Sequence, residues 1–122
     1  MQAKNYIDLL LEGKRLIPNE EVYTQVQKLH RNYDDFVDGD LGSRLDEYDY
    51  YELKEIPISD LDLEEWDVRD NLVADNIKKM KENPNYPPIV VGDDMSIIDG
   101  IHRANALNEL GYKTIKAYVG VV

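Results

Sequence analysis

Hydrophobic positions follow a helical period in the N-terminal part of the chain. From Val22 to Phe36 they recur three or four residues apart, the spacing that places side chains on one face of a helix. Asn19 precedes this stripe and is a favoured helix N-cap, so we predict a helix from Asn19 to about Gly39. A shorter apolar stripe over residues 6–11, closed by Gly13, predicts a further helical turn or two.

After residue 50 the pattern changes to short apolar runs separated by turn residues. The run with Leu53, Ile56 and Pro57 predicts a strand near a sheet edge, because proline cannot donate to a central ladder. The other elements predicted, in chain order, are a helix from about Asn71 to Glu82, strands at Pro88–Val91 and Met95–Ile98, a helix at His102–Leu110 ended by Gly111, and a strand at Thr114–Val119. We therefore predict an α+β fold: a small mixed sheet with helices over residues 51–122, preceded by a helical extension over residues 1–50.

Composition limits the functions to be considered. The 122 residues include 14 basic and 25 acidic ones, a net charge of −11, and no cysteine. Disulfides, thiolate metal sites and thiol nucleophiles are therefore excluded. No apolar run is long enough for a membrane span and no signal-peptide pattern opens the sequence, so we expect a cytoplasmic protein. The charge disfavours direct nucleic-acid binding, which normally requires a basic surface.

The most informative chemistry lies in the turn Asp99-Gly100-Ile101-His102-Arg103. A strand that enters a helix through glycine leaves backbone N–H groups unpaired at the positive end of the helix dipole. Arg103 adds a planar fork of donors that matches phosphate, and His102 adds a ring donor. The turn therefore predicts a phosphate-binding site.

The same region resembles the ParB/sulfiredoxin superfamily. The family pattern is a helix, P-[IV]-x-V, a hairpin, G-x-[HR]-R-x-x-A, a helix and a strand. The matching residues are the helix around Asn76-Ile77-Lys78, then Pro87-Pro88-Ile89-Val90-Val91, then Asp99 to Leu107, then Gly111 to Ile115, with Ile56 to Leu61 as the family's opening strand. The resemblance covers residues 51–120 and implies a ParB/sulfiredoxin-type fold that binds a nucleotide.

Further implications follow residue by residue. In sulfiredoxins a His-Arg pair contacts ATP phosphates, which implies that role for His102 and Arg103 together with backbone donors at Gly100 and Ile101. A basic phosphate contact of that family is matched by Arg69. At two other positions the chain departs from sulfiredoxins: Asn76 occupies a position that carries a hydroxyl there, and Ile101 replaces the nucleophilic cysteine. Sulfinic-acid reduction is therefore excluded.

The turn is most similar to D-G-H-H-R of nucleotide-dependent free-serine kinases. This likeness implies NTP hydrolysis or phosphoryl transfer from ATP or another nucleotide. Asp99 would lie beside the transferred group, either directly or as the ligand of a bound Mg²⁺. Glu64 or Glu65 would act as the base. Two plainer alternatives remain: Asp99 caps the helix, and Arg69 pairs with a neighbouring aspartate. Whether the protein is an enzyme stays open.

A second function is also compatible with the sequence. Residues 34–52 are strongly acidic, with Arg44 as their one basic residue and with interleaved tyrosines. Such a surface can dock on a basic protein or imitate nucleic acid. The alternative is thus a non-catalytic acidic interaction protein, such as an inhibitor or a phage or mobile-element accessory protein. The sequence leaves the oligomeric state open.

Overall fold

The computed structural model describes residues 16–32, 44–64 and 68–122, apart from the side chains of residues 29–32. The elements are strands β1 (Leu16–Pro18), β2 (Tyr50–Pro57), β3 (Ile89–Val91), β4 (Ile97–Asp99) and β5 (Thr114–Val121), helices α1 (Asn19–Asn32), α2 (Asp70–Glu82) and α3 (Ile101–Glu109), and a 3-10 turn at Ile58–Asp60. The five strands form one mixed sheet. The predicted α+β class is confirmed.

The sheet has the order β1-β2-β5-β3-β4. Its longest ladder joins β2 and β5 antiparallel, from Tyr50 opposite Val121 to Pro57 opposite Thr114. β5 and β3 are parallel, while β1 with β2 and β3 with β4 are antiparallel. The hairpin of β3 and β4 therefore brings the end of β4, and the turn that follows it, to one edge of the sheet.

One expectation about this sheet is wrong. The segment Leu16–Pro18, expected to be part of a helical region, is a strand whose partners are Tyr50–Glu52. β2 lies directly beside this edge strand, so the strand predicted near a sheet edge is found there. Pro57 lies at the end of β2, beyond the three residues that β1 pairs with, so its missing N–H does not interrupt that pairing.

The two faces of the sheet pack against different layers. Alternate residues of one strand point to opposite faces, and β3 follows this rule: Ile89 and Val91 belong to one cluster and Val90 to the other. The larger cluster contains Val73 and Met80 of α2 with the apolar residues of α3. Burial of these side chains is the main stabilising contribution of this layer.

The opposite face is covered by α1 and the segment before β2. Val22 and Val26 of α1 are buried there with Tyr51 and Leu45. Asn19 is the first residue of α1, and its Nδ2 donates to the backbone oxygens of Leu45 at 2.9 Å and Tyr48 at 3.1 Å. Asn19 thereby links the start of α1 to residues 45–48, and its capping role stays a prediction.

The remaining elements lie within a few residues of their predicted bounds. α1 begins at Asn19 as predicted, whereas the predicted end near Gly39 and the helical turns at residues 6–11 lie outside the described residues. β4 begins two residues later than predicted, because Met95 is still part of the turn, with a left-handed φ of 66°. The proposed division of the chain at residue 50 stays a prediction.

The described helices carry no membrane span: within residues 16–32, 44–64 and 68–122, none is long and apolar enough to cross a bilayer.

Candidate functional site

The turn that follows β4 has a backbone conformation that depends on glycine. Gly100 has a φ of 102° and is the N-cap of α3. A Cβ on this residue would lie 2.5 Å from Cγ2 of Ile89 and 2.9 Å from Nη2 of Arg103. The conformation and the close packing therefore both require glycine where the sheet edge meets α3.

Arg103 is a buried residue with internal hydrogen-bond partners. Its Nη2 donates to Oδ2 of Asp99 at 2.7 Å, and its Nη1 donates to the backbone oxygens of Pro87 at 3.0 Å and Pro88 at 2.7 Å. The side chains of Arg103 and Asp99 are only 6% and 8% exposed. Arg103 thus joins the end of β4 and the start of α3 to the segment before β3.

Asp99 does not cap α3, because the N-cap is Gly100 and the helix has no side-chain cap hydrogen bond. The carboxylate of Asp99 instead neutralises Arg103. Of the two predictions for Asp99, capping is therefore wrong, and the catalytic and metal-binding roles stay predictions. Within the described parts of the chain, no group of three or more His, Asp or Glu residues could hold a metal ion.

His102 connects α3 to α2. Its ring is 3% exposed, and its Nε2 accepts a hydrogen bond of 3.1 Å from the backbone N–H of Arg69. Arg69 is the N-cap of α2, and this helix also begins without a side-chain cap hydrogen bond. The contact therefore brings together the uncapped N-termini of two helices, where two positive dipole ends meet.

A cleft of about 370 Å³, termed here the α2 cleft, adjoins Arg103. It lies between α2 and the segment that connects α2 to β3. Its lining residues are Asn76, Lys79, Met80, Glu82, Asn83, Asn85, Tyr86, Pro87 and Arg103. Asn76, which was predicted to bind the ligand, is 6% exposed, and its Nδ2 donates to the backbone oxygen of Leu72 at 2.8 Å.

Lys79, Asn83, Asn85 and Tyr86 are cleft residues that the sequence analysis did not single out. They belong to no motif with a known chemical role, and their spacing carries no catalytic pattern. The nearest sequence signal for these residues was Pro87-Pro88, which opens the match to the P-[IV]-x-V pattern. In the structure Arg103 donates to the backbone oxygens of both prolines, and this contact brings the preceding segment to the site.

Glu64 lies in a different place. It lines a second, more open cleft of about 850 Å³ together with Asp62, Asn105, Asn108 and Lys113 among others. Asn105 and the segment before Glu64 are joined there, since Nδ2 of Asn105 donates to the backbone oxygen of Leu63 at 3.1 Å. Glu64 thus lies in neither the α2 cleft nor a contact with Asp99. Glu65 lies outside the described residues.

The face of the sheet that α1 covers has an acidic surface around Tyr48. The hydroxyl of Tyr48 donates to Oδ1 of Asp93 at 2.5 Å, and this hydrogen bond is the main cause that raises the pKa of Tyr48. Hydrogen bonds from Ser96 lower the pKa of Asp94. Arg44 binds the backbone oxygen of Ile97 at 3.1 Å and so covers part of the β4 edge.

The chain is similar to several solved structures, three of which are described below. One is a Pnob8-like ParB N-domain, with 22% identity, a TM-score of 0.48, and 57% of this chain and 29% of that chain covered. The second is sulfiredoxin from Arabidopsis thaliana, with 22% identity, a TM-score of 0.47, and 55% and 82% covered. The third is the C-terminally truncated chromosome-partitioning protein ParB from Caulobacter crescentus complexed with CTP-γ-S, with 24% identity, a TM-score of 0.47, and 57% and 44% covered.

The protein types in these matches are the two that the sequence motifs resemble. The chain spans less than half the length of either ParB chain, at 29% and 44%. No protein-family model matches the chain, and no curated protein matches it by sequence.

Proposed function

We propose that the protein binds a nucleotide through its phosphates at the place where the N-termini of α2 and α3 meet. The observation that carries this proposal is the hydrogen bond from the backbone N–H of Arg69 to Nε2 of His102. Both helices begin without a side-chain cap. Helix N-termini attract anions through their first N–H groups and their dipoles, and two such ends together attract a polyphosphate more strongly than one.

The side chains around this point divide into two roles. Arg69 is exposed, so its guanidinium is available to a phosphate from solvent. Arg103 is buried and makes three internal hydrogen bonds, which supports a positioning role in which it keeps Gly100 and the first turn of α3 in place. Direct contacts of Arg103, His102 and Asn76 with the nucleotide remain part of the proposal.

Binding, rather than phosphoryl transfer, is the function that the geometry supports best. Transfer or hydrolysis would require Asp99, with or without Mg²⁺, and Glu64 or Glu65 beside the phosphates. The carboxylate of Asp99 is bound to Arg103, and Glu64 lines the other cleft. ATP, other nucleotides and Mg²⁺ are therefore proposed as ligands to be compared, with no acceptor substrate named.

Calorimetry tests this proposal directly. ATP, ADP and CTP would be titrated with and without Mg²⁺ into the wild type, Arg69→Ala and Lys113→Ala. We expect Arg69→Ala to weaken binding about ten- to a hundredfold, as for the loss of a charged hydrogen bond. Lys113→Ala is the matched control, because it removes the same charge from an exposed residue at the other cleft.

Two outcomes would contradict the proposal. One is that none of the nucleotides binds the wild type. The other is that Arg69→Ala and Lys113→Ala weaken binding equally, which would indicate a general effect of net charge instead of a site at Arg69.

A second candidate function is docking on a basic protein through the surface around Tyr48. The observation that favours it is a group of exposed acids near this residue: Asp46, Glu47, Asp49, Asp93 and Asp94. A basic peptide as probe should bind in a salt-sensitive manner. Reversal of Asp93 and Asp94 to lysine should weaken that binding more than the same change at Asp60 and Asp62, and Arg69→Ala should have no effect.

A further inference from the structure

We propose that the α2 cleft binds the base of the nucleotide whose phosphates lie at the N-termini of α2 and α3. This inference rests on the proposed phosphate site and adds a separate ligand chemistry, that of a flat polar heteroaromatic ring. The cleft volume of about 370 Å³ lies in the range of small-molecule sites. Four properties of the cleft support the assignment.

The charged groups at the cleft leave no excess of positive charge. Arg103 is paired with Asp99 at 2.7 Å, and Lys79 is paired with Asp75 at 2.9 Å. Glu82 adds a negative charge to the lining. A second phosphate group would therefore find little positive charge there, whereas a neutral polar ring would not be repelled.

Amide side chains provide the hydrogen bonds that a base requires. An asparagine carries a donor and an acceptor in one plane, a pattern that pairs with the edge of a nucleobase. Nδ2 of Asn76 donates to Leu72, which sets the direction of its Oδ1. Oδ1 of Asn83 accepts from the backbone N–H of Asn85 at 3.1 Å, so its NH₂ is the group that it offers to a ligand.

Tyr86 provides an aromatic surface with a set orientation. It is half-buried in the cleft lining, and its ring meets that of Tyr112 edge-to-face, with centroids 6.2 Å apart and an interplanar angle of 90°. A ring held in this way loses little freedom when a base stacks on it. Such stacking contributes roughly 5- to 150-fold in affinity.

The cleft lies at a suitable distance from the phosphate site. Arg69 and Asn76 are seven residues apart along one helix, which corresponds to about 10 Å along its axis. A nucleoside polyphosphate is long enough to reach from one to the other. Arg103, which lines the cleft and also supports the turn at Gly100, connects the two parts of the site.

Calorimetry with inorganic tripolyphosphate and with nucleoside triphosphates separates the two parts. On the wild-type chain we expect at least one of ATP, CTP, GTP and UTP to bind about tenfold more tightly than tripolyphosphate. Tyr86→Ala should remove this difference and leave the tripolyphosphate affinity unchanged, whereas Tyr86→Phe should retain it. Tyr23→Ala, which removes an exposed tyrosine from α1, is the control, and circular dichroism checks that each variant is folded.

Each outcome decides one of the two proposals. If tripolyphosphate binds as tightly as every nucleotide, or if Tyr86→Ala weakens both ligands equally, the base assignment is wrong while the phosphate site stands. If neither tripolyphosphate nor any nucleotide binds the wild type, the phosphate site itself is wrong and the base assignment is lost with it.

Discussion

The backbone N–H of Arg69 donates a hydrogen bond to Nε2 of His102 across 3.1 Å and thereby joins the start of α2 to the first turn of α3. His102 is almost fully buried, at 3% exposed. The proposed phosphate site therefore depends on a contact that holds two helix N-termini together.

The first prediction concerns His102→Ala. Loss of the ring leaves the N–H of Arg69 without its acceptor, so we expect the free energy of unfolding to fall by about 1–3 kcal/mol, with a further loss from the cavity. Urea denaturation measures this change. Asn108→Ala, at an exposed position of the same helix, is the control. Equal stability of the two variants would show that the contact with Arg69 contributes nothing.

The second prediction compares two ion pairs whose members are both four residues apart in the sequence. Asp99 and Arg103 form a buried pair, whereas Asp75 and Lys79 form a pair with side chains 51% and 38% exposed. We expect Arg103→Met to lower the free energy of unfolding by about 3–5 kcal/mol, because it removes the positive charge that lies 2.7 Å from the buried carboxylate of Asp99. Lys79→Met should cost about 0–1 kcal/mol.

Denaturation of both single variants checks this prediction, and a double variant makes it specific. Asp99→Asn combined with Arg103→Met should cost less than the sum of the two single changes, because both changes remove the same ion pair. Additive costs would mean that the two side chains are not coupled.

The third prediction uses two glycines with left-handed backbones. Gly100 and Gly111 have φ values of 102° and 87°, but a Cβ at Gly111 would meet nothing within 4 Å, whereas at Gly100 it would meet Ile89 at 2.5 Å. We expect Gly111→Ala to cost about 1–2 kcal/mol from its conformation alone. Gly100→Ala should cost more, since overpacking adds about 1–3 kcal/mol. Similar melting temperatures for both variants would contradict the packing shown here.

The fourth prediction concerns pH. Burial raises the pKa of Tyr51 above the ordinary value of 10.0, so the folded state holds this proton more tightly than the unfolded state. The resulting stability is complete below pH 10 and is lost as the pH rises further towards the folded pKa. In Tyr51→Phe the decline of the melting temperature above pH 10 should be shallower than in the wild type.

At neutral pH the same variant should be less stable. The hydroxyl of Tyr51 donates to the backbone oxygen of Leu45 at 2.7 Å, and its loss should cost about 1–3 kcal/mol, because the buried oxygen is left unsatisfied. Tyr23→Phe, at an exposed position, should change neither the neutral stability nor its pH dependence. A parallel decline of all three proteins above pH 10 would exclude Tyr51 as the cause.

Local signals in the sequence predicted the elements around the turn well. Apolar periodicity identified α2, α3 and β5 to within a few residues, and Gly100 and Gly111 marked the start and the end of α3. Both glycines have a left-handed backbone, and so does Met95, which carried no such signal. β1 was missed, because three residues such as Leu16-Ile17-Pro18 are too few to show a period. Only pairing with Tyr50–Glu52 makes them a strand.

The chemistry of single residues was predictable and their partners were not. Neighbours along the chain were enough to predict the α+β class, the glycine turn into α3 and the position of His102 and Arg103 in the first turn of that helix, because these features depend on local sequence. The tertiary structure decided that Arg103 binds Asp99 and two proline oxygens, that His102 meets Arg69, and that Glu64 lies in another cleft. Burial and long-range hydrogen bonds set these contacts, since they depend on how the helices pack on the sheet and not on local spacing.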